Sequence, residues 1–276
     1  MYDVAGSIVV FKNEKETLKR AIASFFDTAL NTYLYLIDNS PRDELRDVCS
    51  GKNMEYIFNR NNLGFAAGHN IALRKMIGKT KYSLLLNPDV YFDKGTIDAL
   101  FNFMEHHPEV GSVMPKVLYP DGSLQYLCRL LPTPYDLLFR KLNSRILNPL
   151  VNLLSKYELR FADYEKMMDV PYLSGCFMFV RTDVFEKVGT FDERFFLYFE
   201  DVDLSRRIHK LYRTVYYPYA AVYHSYQRDS NRDAVILKRL IESGIKYFNK
   251  WGWFSDMERK QVNRETIRNL YRLSYV

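Results

Sequence analysis

Short apolar runs alternate with helix-like segments along the first 115 residues of the chain. The apolar runs span residues 7–11, 33–37, 54–58 and 82–86. The helix-like segments span residues 14–26, 42–48, 66–76 and 96–105. Apolar runs of this length suit strands buried on both faces of a sheet, and helices between them imply parallel pairing. The pattern therefore predicts a parallel, doubly wound sheet of the nucleotide-binding kind.

The second half of the chain has a mixed pattern. A turn signal at Pro120-Asp121-Gly122 separates a predicted strand at 113–119 from one at 123–125. The later predicted elements are a strand at 173–180, a short helix between Thr182 and Gly189, a helix at 201–212, a strand at 214–217 and a helix at 231–250. A polar, basic tail follows. Together the two halves predict an α/β fold, with a mixed, mainly parallel sheet flanked by helices and a helical C-terminal appendage.

Composition narrows the class of partner. The chain has 276 residues, 47% of them hydrophobic, and a net charge of +6. This modest basic excess suits an anionic ligand or an anionic membrane surface, and no nucleic-acid-binding motif accompanies it. The three cysteines are widely spaced and form no disulfide or metal pattern, which favours a reducing cytoplasm. We see neither a signal peptide nor the roughly 20 apolar residues of a spanning helix.

Polar residues follow the second and third predicted strands, where open α/β sheets place ligands. Asp38 can accept a hydrogen bond from a nucleobase or a ribose, although simple turn chemistry is the alternative. In the segment 61–70, Gly64 allows close backbone approach at a helix start, and Asn62 and Asn70 can bind sugar or phosphate oxygens. The alternative is a small-residue helix that packs tightly on the sheet.

The segment Asn87-Pro88-Asp89 ends the fourth predicted strand. Pro88 cannot donate to a sheet ladder, so the strand stops there and Asp89 lies at its carboxyl end. A carboxylate in this place can hold a hard divalent cation, which in turn can hold a diphosphate. An Asx turn that merely ends the strand is the alternative.

A second acidic segment lies at the start of the predicted helix 201–212. Glu200, Asp201 and Asp203 follow the aromatic-rich stretch 191–199, and such crowding can desolvate a carboxylate and make it a useful base. The alternative is an ordinary charged first turn of a helix. His224 falls a few residues after the predicted strand 214–217, where a structural role is the alternative to a ligand role.

These motifs, taken in order, resemble a known family. The ordered set is the Asp38 turn, Asn-Asn-x-Gly-Phe-Ala-x-Gly-x-Asn at 61–70, Asn-Pro-Asp at 87–89, Gly-Cys-Phe-Met-Phe at 175–179, Phe-Asp-Glu-x-Phe-Phe at 191–196, Glu-Asp-x-Asp-Leu at 200–204 and His224. It resembles the family-2 inverting glycosyltransferases with the GT-A fold, and most closely the rhamnosyltransferase-like branch that builds bacterial surface polysaccharides. The resemblance covers roughly residues 5–226.

The resemblance implies a role for each motif. Asp38 would bind the nucleobase, with Asn62 and Gly64 near the donor ribose and diphosphate. Asn87 and Asp89 occupy the D-x-D position, and Asp89 with His224 would hold a divalent cation, Mg²⁺ or Mn²⁺. Asp201 matches the general base, and Gly175 and Glu200 would lie on the acceptor side. Asn87 departs from the family pattern, because the first acid of D-x-D is an amide here.

The implied activity is inverting transfer of a sugar from a nucleoside diphosphate to a glycan or lipid-linked glycan acceptor in cell-surface polysaccharide synthesis. The first expectation for the donor is dTDP-rhamnose, with UDP-sugars next. Residues 1–115 would form the nucleotide-sugar half and 116–227 the acceptor half of one domain, with 228–276 as a basic appendage. The competing interpretations are a nucleotidyltransferase and a catalytically silent sugar-nucleotide-binding module.

Two segments predict attachment to a membrane. Residues 137–157 are rich in leucine with interspersed basic residues, a pattern typical of an interfacial helix. The tail from Lys246 combines basic residues with Trp251, Trp253 and Phe254, which suits an anionic bilayer surface. The expectation is a cytoplasmic protein, peripheral at the inner face of the cell membrane. Packing on the core or on a second copy in a homodimer is the alternative for both segments.

Overall fold

A mixed sheet forms the centre of the computed structural model, which describes residues 1–136, 155–225 and 234–273. The described strands are β1 Tyr2–Val10, β2 Thr32–Asp38, β3 Met54–Phe58, β4 Thr80–Leu86, β5 Val90–Tyr91, β6 Val110–Leu118, β7 Cys128–Arg129, β8 Met168–Asp169, β9 Tyr172–Leu173, β10 Phe177–Arg181 and β11 Arg213–His224. Their order in the sheet is β3-β2-β1-β4-β10-β6-β11-β5, with β8 paired to β11. The strands β7 and β9 form a separate antiparallel pair.

Helices cover both faces of this sheet. They are α1 Lys15–Phe26, α2 Gly64–Met76, α3 Thr96–His106, α4 Val184–Val188, α5 Glu200–His209, α6 Ala234–Trp251 and α7 Met257–Leu273. One buried apolar cluster packs α1 and α3 against the sheet, and a second packs α2, α4 and α5. The mixed, mainly parallel α/β fold predicted from the sequence is therefore confirmed.

The parallel part of the sheet is the part that the sequence predicts best. Strands β1, β2, β3 and β4 are mutually parallel, and all four predicted apolar runs form strands. The predicted helix at 42–48 is wrong, because only a 3-10 turn at Arg46–Val48 forms there. Within residues 42–48, Leu45 and Val48 are the buried apolar side chains. Two such side chains bury too little apolar surface to hold a longer helix against the sheet.

The predicted strand at 173–180 is also wrong as one element. It divides into β9, which pairs with β7, and β10, which runs antiparallel between β4 and β6. Gly175 lies at the break, and a Cβ there would approach the Cβ of Asp201 to 2.9 Å. The chain leaves the strand path because the backbone must pass close to the start of α5.

The strand predicted at 214–217 is much longer than expected. β11 runs from Arg213 to His224, parallel to β6, with a register shift between Tyr217 and Ala221. His224 is therefore the last residue of a strand and not a residue of the following loop. The register shift hides the strand from a period-two pattern, because a bulge reverses which side chains face the core.

The C-terminal region is helical beyond the predicted helix. The segment expected as a polar tail forms α7. Tyr247 and Phe248 of α6 share a buried cluster with Val202 of α5, and Glu258 at the start of α7 forms an ion pair with Arg206 of α5. Arg206 on α5 makes a bidentate ion pair with Asp256, with N–O distances of 2.6 and 2.8 Å. The side chains of both residues are buried. The predicted domain boundary at 227/228 lies in a stretch outside the described residues. In the described residues, no helix is both long and apolar enough to cross a membrane.

Candidate active site

The polar residues singled out in the sequence meet at one edge of the sheet. Asp38 is the last residue of β2, and Asn87 follows the end of β4. Phe177, which starts β10, pairs with Leu86, so Gly175 lies just beyond the same edge. His224 at the end of β11 pairs with Val90, next to Asp89. Because neighbouring strands bring these ends together, residues more than 180 apart in sequence share one site.

Asp38 is fully buried and held from two sides. Its Oδ1 accepts the backbone N–H of Ser40 at 2.8 Å, and its Oδ2 accepts the hydroxyl of Tyr56 at 2.6 Å. Burial and the bond to Asp38 raise the pKa of Tyr56 well above its usual value, so this hydroxyl remains a donor. The next residue, Asn39, donates to the carbonyl of Gly64 at 3.1 Å. This pocket wall therefore joins the ends of β2 and β3 to the start of α2.

The glycine-containing turn before α2 closes on the aromatic segment 191–196. Asn62 accepts the N–H of Gly64 through Oδ1 at 3.0 Å, which forms an Asx turn. Gly64 has a φ of +82°, and a Cβ there would lie 2.2 Å from the carbonyl oxygen of Phe196. Phe65 donates its N–H to that same oxygen at 2.8 Å. Glycine is required at 64 both for the backbone angle and for this contact.

Asn70 ties α2 to the same aromatic segment. Its amide nitrogen donates to the carbonyl of Phe191 at 2.9 Å and to Oε1 of Glu193 at 2.8 Å, and its oxygen accepts the N–H of Phe191 at 3.0 Å. Asn70 itself is buried. Its side chain holds two elements together, and its expected contact with the donor stays a prediction.

Asp89 and His224 converge at the sheet edge. His224 Nε2 lies 3.4 Å from Oδ1 of Asp89 and 3.4 Å from Nδ2 of Asn87. Gln125, which the sequence did not single out, contacts His224 Nδ1 at 3.1 Å and donates to the His224 carbonyl at 2.7 Å. Burial opposes protonation of His224, but the neighbouring Cys176 and Asp89 outweigh it and raise its pKa to about 10. A cation bound here would compete with a proton for the imidazole nitrogen.

The residues at this position fit a divalent cation as a partial set of ligands. A carboxylate oxygen and an imidazole nitrogen suit Mn²⁺ or Mg²⁺ together with phosphate oxygens. In the part of the chain that the structure describes, no group of three or more His, Cys, Asp or Glu side chains is arranged around a metal position. The remaining ligands would therefore come from the donor diphosphate and water.

Asp201 lies at the first turn of α5 and accepts three hydrogen bonds. Its Oδ2 accepts the hydroxyl of Tyr172 at 2.9 Å and the N–H of Gly175 at 3.0 Å, and its Oδ1 accepts the N–H of Val202 at 2.9 Å. Arg129 donates to the Tyr172 hydroxyl at 3.3 Å. These bonds fix the orientation of one partly exposed carboxylate.

The two neighbouring acids differ from Asp201. Glu200 is buried, and burial together with the charge of Asp201 raises its pKa well above the usual value. Asp203 is fully buried and binds Arg207 at 2.9 Å, Trp251 Nε1 at 2.8 Å and Lys250 at 2.7 Å. Asp203 therefore connects α5 to α6, and Asp201 is the acid of the three that combines exposure with a fixed orientation.

The backbone that leads into α5 is strained. Tyr198 and Phe199 have φ values of 68° and 69°, which bulky residues rarely adopt. Phe199 is buried among Tyr247 and Phe248 of α6, so packing holds the unusual conformation in place. Strain of this kind is typical of functional sites, where surrounding structure fixes the geometry.

Sequence comparison assigns the family. Residues 7–189 match the profile of Glycosyl transferase family 2. The chain belongs to glycosyl transferase family 2. The resemblance noted from the motifs is thereby confirmed, and the protein is a glycosyltransferase. The family assignment does not favour a nucleotidyltransferase or a silent binding module.

The chain is similar in sequence to two named glycosyltransferases. The N-acetylglucosaminyl-diphospho-decaprenol L-rhamnosyltransferase of Mycobacterium tuberculosis is 31% identical over 252 residues, which cover 84% of this chain and 80% of that protein. The low-salt glycan biosynthesis hexosyltransferase Agl10 of Haloferax volcanii is 26% identical over 209 residues, covering 75% of this chain and 62% of that protein. The similarity to a rhamnosyltransferase fits the branch that the motifs indicated.

Solved glycosyltransferase structures share the fold. GalNAc-T7, solved with UDP, GalNAc and Mn²⁺, superposes with a TM-score of 0.65 at 13% identity, covering 91% of this chain and 48% of that one. S. aureus TarS, residues 1–349, superposes with a TM-score of 0.58 at 14% identity, covering 96% and 70%. These likenesses support the GT-A type of architecture and, at such low identity, show the fold alone.

Three residues of the site gave no signal in the sequence. Tyr172 and Arg129 lie in the short strands β9 and β7, and Gln125 lies in the turn region after β6. Each has an ordinary sequence context, and only the tertiary contacts place them beside Asp201 and His224. The pairing of Arg129 with Tyr172 in the β7–β9 ladder is a further link that residue spacing does not reveal.

Proposed function

We propose that this glycosyltransferase moves a sugar, rhamnose in the first instance, from a nucleoside diphosphate to a lipid-linked glycan acceptor, with inversion and with a divalent cation. The observation that carries the proposal is the division of labour among the acids. Asp201 is a held, partly exposed carboxylate, whereas Asp89 is next to His224 at a different strand end. A carboxylate suited to accept a proton and a pair of side chains suited to hold a cation thus lie along one edge of the sheet.

The donor side is assigned to the N-terminal half. Asp38 would contact the nucleobase, and Asn62, Gly64, Asn70 and Asn87 would border the ribose and diphosphate. Asp89 and His224 would hold the cation, which would supply charge stabilisation for the leaving diphosphate. Asn87 adds no charge, so the protein contributes one carboxylate at the D-x-D position and relies on the donor phosphates for the rest.

The acceptor side is assigned to residues 116–227. Asp201 would take the proton of the acceptor hydroxyl. The hydroxyl oxygen of the acceptor would attack the anomeric carbon of the donor as the bond from that carbon to the diphosphate breaks. A single displacement of this kind inverts the anomeric centre, whereas a retaining glycosidase uses a second carboxylate as a covalent nucleophile. Gly175 and Glu200 would border the acceptor, and the hydrogen bonds from Tyr172 and Gly175 would keep Asp201 aimed at it.

The relatives guide the choice of substrates. The mycobacterial relative is named for L-rhamnosyl transfer and for N-acetylglucosaminyl-diphospho-decaprenol. By similarity, the donor here is proposed as dTDP-rhamnose before UDP-sugars, and the acceptor as a glycan on a lipid diphosphate in cell-surface polysaccharide synthesis. Such an acceptor lies in a bilayer, so we propose that the protein works in the cytoplasm, peripheral at the inner face of the membrane, with a homodimer as the alternative use of its basic segments.

Donor turnover tests the proposal directly. Purified protein is given dTDP-rhamnose or UDP-sugars with Mn²⁺, Mg²⁺ or EDTA, and released nucleoside diphosphate and transferred sugar are measured. Asp201→Asn should still bind donor and lose about 10²–10⁴-fold in transfer. Asp89→Ala and His224→Ala should instead weaken cation-dependent donor binding. Wild-type transfer rates for Asp201→Asn, or metal-independent turnover, would contradict the assignment. Comparing the anomeric configuration of the product with that of the donor by NMR tests inversion.

A further inference from the structure

The basic residues of the C-terminal region divide into two groups. The first group is engaged inside the protein: Lys250 binds Asp192 and Asp203, and Lys246 donates to the Arg194 carbonyl. Arg259 is buried and donates to backbone carbonyls, including that of Pro132. These side chains hold α6 and α7 on the catalytic domain, so they are not available to a partner.

The second group lies on one face of α7. Lys260, Arg264, Arg268 and Arg272 are exposed, and within the described part of the chain they have no ion pair or side-chain hydrogen bond. At 3.6 residues per turn these positions fall within an arc of about 120°. The buried residues Arg259, Thr266 and Leu270 lie on the opposite side of the helix. Four unpaired cations therefore point away from the protein on one helix face.

Exposed apolar side chains accompany this face at its N-terminal end. Met257 falls within the same arc and is 72% exposed, and Phe254 in the preceding turn is 59% exposed. The ring of Phe254 lies 5.9 Å from that of the exposed Tyr135. Cations beside exposed aromatic and apolar groups are typical of surfaces that lie in the interfacial region of a bilayer.

The position of α7 relative to the catalytic helix is fixed. Arg206 of α5 binds Asp256 and Glu258 at the start of α7, and its guanidinium lies 4.1 Å from the centre of the Trp251 ring. Asp201 is on the same helix as Arg206. Whatever binds the exposed face of α7 therefore orients the helix that carries the proposed base.

We infer that the α7 docking face, made of Met257, Lys260, Arg264, Arg268 and Arg272, binds the headgroups of an anionic bilayer. The inference rests on the proposed function, in which the acceptor is anchored in a membrane. The charge of this face favours a bilayer over a second copy of the chain. Lipid phosphates would neutralise the four cations, whereas a two-fold dimer through this face would bring the same four cations of each copy together. Docking there holds the active site at a set distance from the lipid surface.

Vesicle binding of two double variants tests the docking face. R264E/R268E reverses two cations on the face, and K52E/K79E makes the same charge change at Lys52 and Lys79, which are exposed and outside it. With vesicles of phosphatidylglycerol and phosphatidylcholine, R264E/R268E should bind about 30-fold or more weakly than wild type. K52E/K79E should stay within about threefold, and rising salt should release the wild type.

Three results would overturn the inference. These are equal binding of wild type to anionic and neutral vesicles, equal losses in the two double variants, and an α7 variant that changes oligomeric mass in light scattering while it keeps its vesicle binding. The circular dichroism of each variant confirms that it folds. Vesicle binding needs neither donor nor cation, so a wild type that binds vesicles and transfers no sugar would contradict the proposed function and not the docking face.

Discussion

The hydroxyl of Tyr172 donates a hydrogen bond of 2.9 Å to Oδ2 of Asp201, across 29 residues of sequence. Tyr172 is itself buried and receives a bond from Arg129, so its hydroxyl has a fixed direction. A donor aimed at a carboxylate oxygen holds the carboxylate in one orientation, and a general base needs that orientation to reach the proton it removes. This contact makes Tyr172 a positioning residue for the proposed reaction, and it supports the first prediction.

Tyr172→Phe should lower kcat for sugar transfer by about tenfold, because Asp201 loses a hydrogen bond that fixes its orientation. The KM for the donor should stay within about twofold of wild type, since the donor does not contact Tyr172 in the proposed reaction. Tyr164→Phe is the control, since it removes another buried hydroxyl, one that donates to the carbonyl of Glu158 away from Asp201. Equal losses of kcat in Tyr172→Phe and Tyr164→Phe would show that Tyr172 is merely structural.

Glu200→Gln should become more stable relative to wild type as pH rises. The pKa of Glu200 is raised in the folded protein, so its contribution to stability is full below the unfolded pKa and is lost as pH rises through the folded pKa. Glutamine cannot ionise and avoids that loss. Urea unfolding at several pH values from about 3 to about 9 measures the difference in unfolding free energy between variant and wild type.

Glu193→Gln should change the unfolding free energy with pH in the opposite direction, and the same experiment measures it. The bonds from Asn70 and Arg74 lower the pKa of Glu193, so its contribution is present above the unfolded pKa and is lost as pH falls. The glutamine variant should therefore lose stability relative to wild type as pH rises from about 3 to about 5, and the difference should stay level above that. If the stability of both variants relative to wild type changes with pH in the same direction, the assignment of Glu200 as a buried neutral acid is contradicted.

Asp256→Asn should destabilise the fold by about 3–5 kcal/mol, because it leaves the buried Arg206 guanidinium without its carboxylate. Asp47→Asn makes the same chemical change in the pair with Lys15, where both side chains are largely exposed, and should cost less than about 1 kcal/mol. Urea unfolding monitored by tryptophan fluorescence compares the two. Similar losses would mean that the pair with Arg206 does not fix α7 to α5.

Gly64→Ala should destabilise the protein by about 2–5 kcal/mol and weaken donor binding. The residue has a positive φ, and the new Cβ would meet the Phe196 carbonyl oxygen. Gly78→Ala isolates the first effect, because Gly78 has a φ of +75° and open space around it, and it should cost about 1–2 kcal/mol. Equal shifts in thermal unfolding temperature would show that the contact with Phe196 is unimportant.

The sequence by itself determined the elements whose signals are local. Four apolar runs predict the parallel strands, and three of them are followed directly by Asp or Asn. The Asp38, Asn87-Pro88-Asp89 and Glu200-Asp201 segments lie at the strand and helix ends that the sequence predicts. These predictions succeed because periodicity and chain breakers act between residues that are near neighbours in sequence. The break of the 173–180 strand at Gly175 depends instead on how closely α5 approaches.

Tertiary structure alone decided what each polar group does. Glu200, Asp201 and Asp203 look alike in sequence, and their differences come from burial, from Tyr172 and from the C-terminal helices. The basic residues of the tail likewise look alike in sequence, yet Lys250 is held in ion pairs while Arg264 is exposed on the surface. A side chain's role depends on which distant groups surround it, and only the packing of the whole chain brings those groups together.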